Sequence, residues 1–116
     1  MKIAAFLNML TVLFNQSTIA YRRYLDGGKK FRYAKELKLY NNKALILLIE
    51  NKSILPEELQ KDAQSLINHY TEWSQKWEQL AAEKEHQPDD IFVFANDVTF
   101  PRQAAQNLEV AYKKLQ

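Results

Sequence analysis

The 116-residue chain has no cysteine. This excludes disulfides, thiolate zinc sites, cysteine-ligated iron–sulfur clusters and thiol nucleophiles. Glycine occurs twice and proline three times. Small sandwiches and barrels turn often, and tight turns draw on both residues, so their scarcity favours few, long elements. Phosphate-cradling loops and glycine-framed serine elbows need glycines at fixed offsets, and the single adjacent pair, Gly27-Gly28, cannot supply them. Ser17, Ser53, Ser65 and Ser74 accordingly stand in ordinary polar contexts.

What is present is an apolar, strongly periodic chain. Apolar residues make up 47% of it and aromatic residues 12%, enough for a buried core in one domain spanning 1–116. The first segment places Ile3, Leu7, Leu10, Phe14, Ser17, Tyr21 and Tyr24 at alternating spacings of four and three, which predicts a helix over about 2–26. Its apolar run is shorter than a membrane span and is broken by Asn8 and Thr11, so the expectation is a core helix and neither a cleaved leader nor a membrane anchor. After the glycine pair, Tyr33, Leu37, Tyr40, Ala44 and Leu47 repeat the spacing and predict a second helix over about 29–50. Pro56 suits a first helical turn, and Glu57 and Glu58 suit the positive end of its dipole. From there Leu59, Ala63, Leu66, Tyr70, Trp73, Trp77 and Leu80 predict a long third helix over 56–86, stopped by Gln87-Pro88.

Residues 88–100 read as irregular, with Ile91 to Phe94 as a short extended piece across the helices. Pro101 opens a last helix over 101–115, with Ala104, Leu108, Ala111 and Leu115 inward. The expected fold class is all-α, an elongated antiparallel bundle of about four helices.

The net charge of +2 conceals a division. Residues 1–55 hold ten basic against three acidic residues, and 56–116 hold six against eleven. Such halves can pair within one fold, pair between copies, or leave a basic face for a polyanion. The basic part concentrates at Arg22, Arg23, Lys29, Lys30, Arg32, Lys35 and Lys38, interleaved with Tyr24, Phe31, Tyr33 and Tyr40. Cations neutralise phosphates and rings stack on bases, so this stretch is the candidate polyanion surface. No base-reading motif accompanies it, and a solvated face opposite the acidic third helix explains the same residues.

Tyr70, Trp73, Trp77 and Leu80 form the candidate partner interface. Large aromatic residues dominate binding surfaces, and a long third helix would outreach its neighbours there; the competing reading is a core stripe. His69 and Glu72 offer two metal ligands where zinc needs three or four, so no metal site is expected. His86 suits the last carbonyls of a helix. Asp89, Asp90 and Asp97 suit turns and caps better than a magnesium site. No catalytic set and no cofactor are expected. The sequence therefore points to a non-catalytic helical interaction or accessory protein in the cytoplasm. It would act through packing against copies of itself or a protein partner. The alternative is a nucleic-acid-binding accessory protein using residues 21–43.

Overall fold

A computed structural model describes residues 1–94 and 99–116. The described residues are 78% helical, with four helices packed against one another and no strand among them. The helices are α1 (Ile3–Asp26), α2 (Phe31–Asn51), α3 (Glu57–Ala82) and α4 (Arg102–Lys114). Successive helices pack side by side and α4 closes back on α1, which gives the expected antiparallel bundle. It is elongated, 43 × 23 × 22 Å, with a radius of gyration of 15.1 Å, against about 13 Å for a compact chain of this length.

The α1–α2 corner is tight. Gly28 has φ 82° and Lys29 φ 58°, and the Lys29 N–H donates to the Tyr24 carbonyl at 2.8 Å. Gly27 is needed for space, since a Cβ there would lie 2.4 Å from the Tyr33 ring. Between α2 and α3 the exit read at Asn51-Lys52-Ser53 becomes a 3-10 turn, Lys52–Ile54. It seats Leu55 in the core.

One expected boundary moves by a full turn. The third helix ends at Ala82, four residues before the expected His86. The chain must turn early because residues 88–92 return to the start of α2. There the Phe31 N–H donates to the Asp90 carbonyl at 2.8 Å and the Arg32 N–H to the Pro88 carbonyl at 3.0 Å. A helix start leaves its first N–H groups without partners inside the helix, and these carbonyls supply them. The expected extended piece is real but minimal: one antiparallel bridge joins Lys30 and Ile91, and the Phe92 N–H donates to the Lys29 carbonyl at 2.8 Å. Side chains alternate along it, with Phe92 buried and Ile91 and Val93 exposed, as the period of an extended chain requires.

The interior has two parts. One end packs Phe6, Leu7, Leu10, Leu47, Leu48, Leu66 and Leu108 from all four helices. The other packs Tyr24, Leu37, Trp73, Trp77 and Phe92, and the 88–94 segment covers it instead of a helix. The cause is length. At 1.5 Å per residue, the 13 residues of α4 run about 20 Å, half the reach of the 26-residue α3.

Candidate binding surfaces

The expected partner stripe lies inside the molecule. Tyr70, Trp73 and Trp77 are buried, Trp77 to 5% exposure, and Leu80 is half-buried. This corrects the expectation of an exposed interface: Tyr70 packs into the aliphatic end beside Phe100, and the 88–94 segment covers Trp73 and Trp77. The Phe92 ring sits 5.0 Å from that of Trp77, the Phe94 ring 5.2 Å from that of Trp73, and Phe31 stacks on Trp77 at 5.9 Å. The Tyr24 hydroxyl fastens the cover by donating to the Phe92 carbonyl at 2.5 Å and accepting the Phe94 N–H at 3.2 Å. Burial pushes the Tyr24 phenol up from its ordinary pKa, opposed by the Phe94 backbone hydrogen bond.

The basic stretch does gather at the α1–α2 corner, but much of its charge is engaged. Arg23 pairs with Glu36, and Lys38 pairs with Glu78 while lying 4.6 Å above the Trp77 ring. Asp89 takes Arg32 at 2.5 Å and Lys30 at 3.8 Å. Lys35 lies 5.6 Å above the Phe31 ring. Desolvation lowers the Lys38 pKa. Arg22 and Lys29 are exposed, with no carboxylate in ion-pair range among the described residues. Three of these four pairs join the basic half to the acidic half within the fold. Asp90 closes a turn by accepting the Gln87 N–H at 2.8 Å. Asp97 lies outside the described residues.

His69 is 8% exposed, wedged edge-on between Tyr70 at 5.1 Å and Phe100 at 5.2 Å. Burial lowers its pKa, outweighing a hydrogen bond to the Thr99 backbone and the charge of Glu72. Its Nδ1 has no hydrogen-bond partner among the described residues. The ring of His86 stacks on Phe31 at 4.9 Å, so it packs the aromatic end. No group of three possible metal ligands occurs among the described residues.

A further apolar surface runs along the outside of α1 and α2. Met9, Val12, Ile19, Leu39, Ile46 and Ile49 are 45–58% exposed. A groove of about 450 Å³ between the two helices is lined by Met9, Val12, Leu13, Ile46 and Leu47, with Asn8, Lys43 and Glu50 at its edges. The signal was in the sequence, as the all-round apolar character of residues 3–14 and of Ala44 to Ile49. Such helices must be covered on every face, yet the fold covers one side of each. By length and composition α1 is also long and apolar enough to cross a membrane, with 22% of its most apolar window buried within the fold.

Comparison with protein-family models, with curated proteins and with solved structures gives no match.

Proposed function

We propose that the protein is a non-catalytic interaction module, and that the outer face of α1 and α2 is its docking surface, taken by a second copy of the chain. The observation that carries this is the groove between the two helices, where Met9, Val12 and Ile46 are about half exposed. Large exposed apolar patches on soluble chains mark interaction sites. The charges on that face support self-association. Lys43 and Glu50 border the same groove, seven residues and so about 10 Å apart on one helix. A face carrying both signs can match itself when turned about a two-fold axis. Engagement of Arg23, Lys30, Arg32 and Lys38 by carboxylates reduces the charge free for a nucleic acid.

The test is molar mass by light scattering on wild-type protein and on Ile46→Lys. The expected result is a dimer that the substitution converts to monomer with unchanged helix content. Flotation with anionic vesicles distinguishes a lipid-covered face, which would overturn the reading. Binding to single- or double-stranded nucleic acid at about 50 mM salt, falling steeply as salt rises, would shift the function to the basic corner.

A further inference from the structure

A cleft of about 520 Å³ lies between α1 and α3, with α2 as its floor and α4 at one end. Pockets for small ligands run roughly 300–1,000 Å³ and are mostly apolar with a few placed polar groups. This cleft has that make-up. Tyr21, Tyr24, Trp73 and Phe94 are among its walls.

Its polar groups are mostly donors and cations. Asn41 lies on the floor and is 7% exposed. Its Oδ1 accepts the Ser17 hydroxyl at 2.9 Å, which leaves the amide N–H donors without an acceptor among the described residues. The buried Nε1–H of Trp77 has no partner among the described residues either. Among the described residues, Lys29 and Arg102 border the cleft with no carboxylate in ion-pair range, and Glu109 is the one acid in the lining. Lys29 also occupies φ 58° beside two glycines. That conformation costs a lysine energy that glycine would not incur, so the side chain is held where the backbone disfavours it.

We propose that this cleft is a binding site for a small, flat, largely apolar anion of the aromatic carboxylate or sulfonate class. Its rings lie against the aromatic walls, and its anionic group meets the Asn41 amide and the cations at the mouth. The site shares no lining residue with the α1–α2 groove, so the two readings stand or fall separately.

Trp73 and Trp77 are the chain's two tryptophans, so their emission reports on the cleft directly. Titration with 1-anilinonaphthalene-8-sulfonate is expected to quench that emission saturably at one dye per chain. The uncharged N-phenyl-1-naphthylamine should bind more weakly. Lys29→Gly should weaken the anionic dye about fivefold, the scale of one exposed charge pair, without changing the neutral dye. Thermal unfolding of Lys29→Gly should hold or rise, because glycine accepts the backbone angle. Ile46→Lys should bind as wild type does. Absence of saturation up to about 1 mM (a free energy near −4 kcal/mol), or equal affinity for both dyes in both proteins, would overturn the proposal.

Discussion

The two ends of the bundle solve the same problem differently. At the aliphatic end four helices surround Leu10, Leu48, Leu66 and Leu108, and a helix interior satisfies its own backbone. At the aromatic end three helices surround Trp73 and Trp77, and the fourth side is an extended strap. Extended backbone cannot satisfy itself as a helix does, and a buried backbone group without a partner is costly. The chain therefore satisfies the strap from outside, with the first N–H groups of α2, the Lys29 carbonyl and the Tyr24 hydroxyl. Wide aromatic rings suit such a cover because a few of them bridge a gap that many aliphatic side chains would otherwise fill.

The largest expected effects separate the ends. Trp77→Ala and Leu66→Ala should each cost about 3–5 kcal/mol. Amide exchange should distinguish them. Trp77→Ala should accelerate the Phe31, Arg32 and Phe92 amides, and Leu66→Ala those of α4. Equal acceleration everywhere in both variants would mean the ends open as one unit.

Next in size is the α1–α2 corner that receives the strap. Gly27→Ala drives a Cβ against the Tyr33 ring and to 2.8 Å from the Arg23 carbonyl. Overpacking of this kind costs about 1–3 kcal/mol. Gly28→Ala meets nothing within 4 Å and is opposed by its φ of 82° alone. Thermal melts should rank Gly27→Ala as the more damaging, and the reverse order would show that the corner has room to give.

The smallest effect is pH dependence where the two ends meet. His69 is buried with its pKa lowered, so the unfolded chain binds a proton more readily than the folded one. Stability from this group is complete above the unfolded value of about 6.5 and declines as pH falls below it. The melting temperature of wild-type protein should drop between about pH 7 and 5 by more than that of His69→Gln. Parallel profiles would assign the acid sensitivity elsewhere.

The sequence carried the fold because four stretches hold spacings of four and three without interruption, and the few breakers fall between them. The end of α3 was not legible. Residues 83–86 suit a helix locally, and what stops them is a hydrogen-bond demand at Phe31 and Arg32, some fifty residues earlier in the chain. The same long-range cover hid the fate of the aromatic stripe. Tyr70, Trp73 and Trp77 have the spacing of either a core or an interface, and only the position of Phe92 and Phe94 decides between them. The basic corner was found, but its pairing with Glu36, Glu78 and Asp89 depends on tertiary neighbours that charge counting does not reveal. The apolar residues on the other faces of α1 call for cover by the fold or by a partner, and only the packing shows that Met9 and Val12 stay open.

Sedimentation velocity across a concentration series, run on wild type, Ile46→Lys and Val12→Lys with helix content followed in parallel, tests the docking face most directly. Both positions are exposed within the chain, at 54% and 46%, so lysine should leave the fold intact. The account expects a wild-type dimer and two helical, monomeric variants. A wild-type protein that stays monomeric at about 100 μM, or a dimer that persists in both variants, would contradict it.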